Sequence, residues 1–315
     1  MNSSLFKTPL PYIALLIAHV IWGINFVVAK VTLNEIPVMS LGFLRFFLAA
    51  LLMIPFLFTI EKSKRSLKFK HLLQIFLIGI FLTTFNIAFF YEGIKRTEAI
   101  AGSVLMLVTP VISLLGAWIF LREKIYLINF LGILVCLFGT SLVLKLPLIF
   151  FGNFGGLENL LGNGLLIASA ICFVIGSIMS KRLLAVYSPI FLTITMFIVG
   201  AITFAGPAAF EYYKDPSWVT KVDILGILGA LFIVLLSTVS AFFLLIWGYS
   251  KLPVTQANLI QYIEPAVTAT FAVAFLNERI SYLFIVGTCL VVLGVYWGTL
   301  GKQEHHHLPH RAHRT

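Results

Sequence analysis

LVTPVISLLGAWIFLREK, residues 107–124, returns 155 residues later as YIEPAVTATFAVAFLNER, residues 262–279. Pro110 falls on Pro265, Ala117 on Ala272, Phe120-Leu121 on Phe275-Leu276 and Glu123 on Glu278. The register holds without a gap over 93–139 and 248–294, where Gly93 meets Gly248, Ile125 meets Ile280, Gly132 meets Gly287 and Gly139 meets Gly294. Upstream the offset narrows. Pro37 and Pro55 match Pro189 and Pro207 at 152, and Lys30 matches Lys181 at 151. Chance places Leu on Leu in any apolar sequence, but it rarely brings Pro, Gly and loop Glu into register. The chain reads as a duplication.

The duplicated material is apolar. Of 315 residues, 60% are hydrophobic and 11% charged, and the mean hydropathy is +1.03. A soluble domain is roughly 45–50% apolar and about 25% charged. So few charges cannot cover a water-facing surface of this size, and the 30 Phe suit a lipid-facing one. Disordered, collagen-like and disulfide-scaffold classes are excluded on the same grounds. A helix crosses the hydrocarbon core with about 20 apolar residues. Such runs lie near 11–33, 37–60, 70–93, 98–121, 125–144, 160–184, 188–210, 222–249, 254–276 and 280–300. The first has no small-residue cleavage site and is read as a retained span. Membrane strands would alternate in polarity over about 10 residues, and these runs do not.

The predicted fold is therefore an all-α polytopic membrane protein of ten transmembrane helices. Residues 11–144 form a first five-helix repeat and 160–300 a second, joined by a linker over 145–159 and flanked by tails at 1–10 and 301–315. Five is odd, so the second repeat enters the membrane from the opposite side and the repeats are inverted. Many secondary transporters are built this way, with a site near the midplane between halves.

Lys and Arg orient the chain. Lys7, Lys62, Lys64, Arg65, Lys68, Lys70, Arg122, Lys124, Lys181, Arg182, Lys251, Lys302, Arg311 and Arg314 fall on the side of the termini, fourteen in all. Seven fall on the other side, and Arg45 lies within the second span. The excess places both termini in the cytoplasm. The net charge of +10 is thus explained by topology, without nucleic acid. Cys136, Cys172 and Cys289 sit in apolar runs with no metal-ligand or pairing logic. The tail after Gly301 holds five of the seven His, with nothing to fix a metal geometry. No phosphate-binding loop, zinc motif or nucleophile elbow is present, so neither ATP hydrolysis nor enzyme chemistry is expected and no cofactor is called for.

Trp22-Gly23-Ile24-Asn25-Phe26 followed by Lys30, Leu44-Arg45-Phe46, and the two copies of the quoted signature resemble the EamA-type branch of the drug/metabolite transporter superfamily. The resemblance covers 11–300. It implies a ten-helix inverted-repeat carrier in a bacterial inner membrane that exports amino acids or related small metabolites. By analogy the central cavity is lined by spans 1, 3, 4, 6, 8 and 9.

Polar residues inside spans mark the candidate site, because an ionisable group there needs protein, water or a partner. His19, Trp22 and Phe26 share a face of span 1 with Asn25 at its edge. They suit a small amphipathic substrate, or else plain packing. Asn258, Gln261, Tyr262 and Pro265 fall at i, i+3, i+4 and i+7 of span 9, a polar stripe for a cavity or for helix–helix hydrogen bonds. Glu264 precedes Pro265, whose missing N–H frees the Gln261 carbonyl. It is a candidate to bind a substrate ammonium, to carry a coupling proton, or to tie the halves together. Arg45 is a counter-charge for a carboxylate or a snorkelling anchor. Asn86 in span 3 is a weaker candidate. Glu92 reads as a boundary ion pair with Lys95 or Arg96, and Glu123 and Glu278 as gate or loop-fixing groups. The rival readings are import of another metabolite or a nucleotide-like solute, and an intramembrane lipid-modifying enzyme.

Overall fold

A bilayer offers no water to backbone N–H and C=O groups, so long apolar runs satisfy them internally as helix. The computed structural model follows that rule. It describes residues 9–121, 126–143, 157–249, 251 and 260–300, and these contain helices and turns but no strand. The main rods are α1 (Leu10–Thr32), α2 (Val38–Thr59), α3 (Phe69–Arg96), α4 (Ala99–Met106 and Thr109–Leu121), α5 (Leu127–Val143), α6 (Leu157–Leu184), α7 (Pro189–Lys214), α8 (224–249), α9 (Ile260–Leu276) and α10 (Tyr282–Leu300). α1, α2, α3, α6, α7 and α8 are long and apolar enough to cross a membrane, and α4, α5, α9 and α10 hold shorter apolar helices. Phe47, Leu51, Phe130, Leu137 and Phe210 point outward, as expected where hydrocarbon replaces water. Cys136 and Cys172 are buried and Cys289 exposed, all as free thiols.

The pairing of rods carries the symmetry that the sequence repeat implies. α2 packs on α7, α5 on α10 and α4 on α9, each rod against its own repeat mate. α1 packs on α8 and α9, while its mate α6 packs on α3 and α4. Exchanging the two halves therefore maps this set of pairs onto itself. α5 and α10 run antiparallel. A Cβ on Gly139 would meet the Gly287 carbonyl at 2.7 Å, and one on Gly294 would meet the Gly132 carbonyl at 2.7 Å. The repeat-matched glycines thus face each other crosswise. Lipid offers no hydrophobic drive to pair helices, so close backbone approach at small residues is what holds them.

Four rods are interrupted in two repeat-matched pairs, α3 with α8 and α4 with α9. α3 passes through a π-helical segment at Ile80–Phe85, and α8 through another at Phe232–Ser240. Thr83 and Thr238, 155 residues apart, are buried in these segments and bond back to the Gly79 and Ile233 carbonyls at 2.6 and 2.7 Å. α4 breaks at Leu107–Val108, just before Pro110. Its mate α9 has a 3-10 turn at Ile260–Ile263, just before Pro265. By contrast Pro207 lies inside α7 without ending it.

One end of the bundle, where α1 finishes, is fastened by acids that cap helices. Glu211 on α7 accepts from Met39 N (3.1 Å), Ser40 N (2.8 Å) and Ser40 Oγ (2.8 Å) at the start of α2. Asp223 caps α8 by accepting from Leu225 N and Gly226 N, and Glu35 accepts from Asp223 N. Glu278 accepts from Ala99 N (2.7 Å) and Ile100 N (3.0 Å) at the start of α4. Carboxylates suit these positions because the first amides of a helix lack partners and the dipole favours negative charge.

Candidate functional site

His19 lies near the middle of α1, and Glu264 opens the α-helical part of α9. Their side chains meet: His19 Nδ1 stands 2.6 Å from Glu264 Oε1, joining residues from opposite halves of the chain. Both are buried, at 2% and 9% exposure. Of the acids in this sequence, Glu264 alone sits deep in a predicted span, and its partner is the one histidine in α1. One turn onward the same two helices are tied again, Thr268 Oγ1 donating to the Gly23 carbonyl at 2.8 Å.

Trp22 extends this junction to α8. Its ring stands edge-on to His19, with centroids 5.5 Å apart, and edge-on to Phe242 at 5.6 Å. Its indole N–H donates to the Ser237 carbonyl at 3.0 Å. Ser237 belongs to the π-helical segment of α8, whose altered register presents backbone carbonyls that an α-helix would use internally. Three buried atoms on α1 and α8 lack a hydrogen-bond partner among the described residues: His19 Nε2 and Ser237 Oγ at this junction, and Asn25 Oδ1 further along α1. Buried polar atoms are nearly always paired, so such a group of unpaired ones marks a place where a ligand or water has a role.

The other predicted residues divide. Phe26 is packed against Phe90 (5.3 Å between centroids) in the largest apolar cluster, so its place is core. Asn86 donates from Nδ2 to Ser169 O and Oγ, both at 3.0 Å, and joins α3 to α6. Arg45, 5% exposed, reaches Tyr91 Oη at 3.2 Å and lies 5.6 Å from the centre of the Phe46 ring. It neither snorkels nor meets the His19–Glu264 junction. Glu92 pairs with Arg96 one turn away. The stripe expected on span 9 takes a different form. Residues 260–263 form a 3-10 turn, so Gln261 and Tyr262 precede the α-helical part of α9, whose first turn holds Pro265. Tyr262 instead packs toward the cluster around Cys136 and Val291. Pro265 occupies the first turn of its helix, where a missing N–H costs nothing, so it frees no carbonyl in a helix interior. Asn258 and Glu123 lie outside the described residues.

In the other half, Thr109 stands where Glu264 stands here. Its hydroxyl donates to the Met106 carbonyl at 2.6 Å, replacing the backbone donor that Pro110 lacks. Glu264 does not serve its own proline in that way and turns to His19. Sequence reasoning missed Ser237 and Thr268, which look like any small polar residue in an apolar run. It also missed the partner of Glu278: Lys30 Nζ donates to Glu278 Oε1 at 3.1 Å and to the Thr97 carbonyl at 2.6 Å.

A cavity of about 310 Å³ opens between α1, α8 and α9, bordered by Val28, Leu228, Phe232, Phe271 and Phe275. It is apolar and does not include the His19–Glu264 junction. Leu228 and Phe275 on its rim face outward, so it opens on the apolar outer surface of the bundle.

The comparisons with known proteins settle the class. The profile of the EamA-like transporter family matches residues 9–145 and again 160–299. The chain belongs to this family. An uncharacterized transporter of Bacillus subtilis, YetK, is 29% identical over 93% of this chain and 88% of its own length. A protein of Escherichia coli described as a probable amino-acid metabolite efflux pump is 27% identical, over 91% of this chain and 93% of its own. A solved crystal structure superposes with a TM-score of 0.61 at 17% identity, covering 92% of this chain and 96% of that one, which shows a shared fold. The EamA chain is accordingly an integral membrane transporter and not an enzyme.

Proposed function

We propose that this EamA transporter exports amino acids or related small metabolites across the bacterial inner membrane, with both termini cytoplasmic, by alternating access of two inverted five-helix repeats. The observation that carries the reading is the polar junction of His19, Glu264, Trp22 and Ser237. It is buried where α1, α8 and α9 meet, near the middle of α1, and joins residues of the two halves. Secondary transporters with inverted repeats place substrate there, next to interrupted helices. The antiparallel packing of α5 on its mate α10, and the matched breaks in α4 and α9, support inversion. The printed description of the Escherichia coli relative supports amino-acid substrates and the outward direction. Trp22, Asn25 and Ser237 would contact the solute, with the unpaired oxygens of Asn25 and Ser237 accepting from an ammonium group.

Counterflow tests this. Vesicles containing the protein are loaded with unlabelled amino acids, and uptake of labelled ones is followed. Uptake that rises with internal amino acid is expected. No uptake of any amino acid, by protein shown to be folded and inserted, removes the amino-acid reading and moves the search to other metabolites. Trp22→Ala is expected to reduce counterflow at least about tenfold, the effect of losing roughly 1.4 kcal/mol of solute binding.

A further inference from the structure

We propose that His19 and Glu264 together form a one-proton site that fills when α1 and α9 close on each other and empties when they part, coupling transport to the proton gradient. This rests on the transporter reading above and adds its coupling ion. The two groups stand 2.6 Å apart, buried, and join the two halves through residues 245 apart in sequence. A pair so placed has two neutral forms: carboxylic acid with neutral imidazole, and carboxylate with imidazolium. Both hold one shared proton and no net charge. Removing that proton leaves a bare anion in the membrane interior, and adding a second leaves a bare cation, both strongly disfavoured. The closed pair therefore holds one proton.

Parting the helices changes this count. In water above about pH 7 a free carboxylate is ionised and a free imidazole neutral, so the proton leaves to the side that is open. Solute bound beside Trp22 and Ser237 holds the pair apart on the outward transit, and the pair re-forms only after the solute has left, taking its proton from the outer side and carrying it back inward. One proton crosses per cycle, carried between Glu264 oxygen and His19 nitrogen, with no other bond made or broken.

Among the described residues no other charged side chain bonds to the pair, and Glu92, Lys95 and Arg96 of α3, which also packs on α1, lie at the end of their helix. The described parts of α4 and α8 that pack on α1 and α9 contain no acid, Lys, Arg or His within the rods. Tyr262 turns toward the α4–α5–α10 cluster. Lys30, Glu98 and Glu278 stand at the end of these helices, and Arg45 with Tyr91 joins α2 to α3. Close approach makes the pair sensitive to helix movement, since a Cβ on Gly23 would already lie 3.0 Å from the Glu264 carbonyl.

The test uses full-length protein in phosphatidylcholine vesicles with a pH dye inside, voltage clamped, and a mixture of labelled amino acids outside. Wild type is expected to show about one proton moved per amino acid. Thr268→Val, which removes a tie between the same helices and no titratable group, should keep that ratio. Glu264→Gln and His19→Phe should abolish it and make any remaining uptake indifferent to an imposed pH gradient. Wild-type uptake with no pH change overturns the inference and leaves the transporter reading intact. If no amino acid is taken up, that reading fails, and infrared titration of the reconstituted protein decides the pair alone. A carboxyl band that changes with pH and vanishes in Glu264→Gln and shifts in His19→Phe supports it. A spectrum indifferent to both substitutions overturns it.

Discussion

At the scale of single residues, the spacing between α1 and α9 is set by Gly23. A Cβ there would stand 2.8 Å from Val267 Cβ and 3.0 Å from the Glu264 carbonyl oxygen. Val267 is β-branched and has no soft terminus to swing aside. Gly23→Ala is therefore expected to push the helices apart and to cost about 1–3 kcal/mol, the usual range for overpacking. Gly164 in α6 is the matched comparison, because a Cβ there meets nothing within 4 Å. Gly164→Ala should gain about 0.5–1 kcal/mol from helix propensity alone. Melting in detergent reads both: Gly23→Ala should fall below wild type and Gly164→Ala should not. Equal melting of the two variants would contradict the close approach of α1 and α9.

At the scale of helices, the interruptions divide into those that sequence announces and those that it hides. Pro110 and Pro265 announce the breaks in α4 and α9, because proline withholds a backbone donor. The first break is repaired by Thr109, whose hydroxyl donates to the Met106 carbonyl. Thr109→Val leaves that carbonyl without its donor, and is expected to destabilise by about 1–3 kcal/mol, read as a lower melting temperature. Thr109→Ser, which keeps the hydroxyl, should restore it. The π-helical segments in α3 and α8 carry no such signal. Ile80–Phe85 and Phe232–Ser240 are ordinary apolar runs, and the extra residue per turn is fixed by packing between helices. The same distinction governs the candidate site. His19 and Glu264 were legible because an ionisable group in an apolar helix is expensive and must have a reason. Their mutual partnership was not, since it depends on how α1 and α9 are rotated against each other.

At the scale of the whole molecule, the alternating access proposed above requires that either end of the bundle can be released. The end where α1 finishes is held by a cluster joining both halves. Lys30 of α1 bonds to Glu278 and to the Thr97 carbonyl, and Glu278 caps the first amides of α4. Thr97 in turn donates to Asn163 of α6 at 2.6 Å. Glu278 is positioned for this by Asn277, which ends α9 in the left-handed region at φ 54°. A change of about 1.4 kcal/mol shifts an open–closed equilibrium tenfold, and a charged group that satisfies two helix amides and a lysine contributes at least that much. Glu278→Gln is therefore expected to leave the protein folded, because the apolar clusters between the rods are untouched, while favouring opening at this end. The measurement is maleimide labelling of Ile100→Cys, placed at a buried position whose amide Glu278 caps. Labelling should be about tenfold faster when Glu278→Gln is added. Lys30→Met leaves Glu278 on the α4 amides and should speed labelling in the same direction but less. Equal rates in all three proteins would mean that this cluster fastens the loop after α9 and does not gate the end of the bundle.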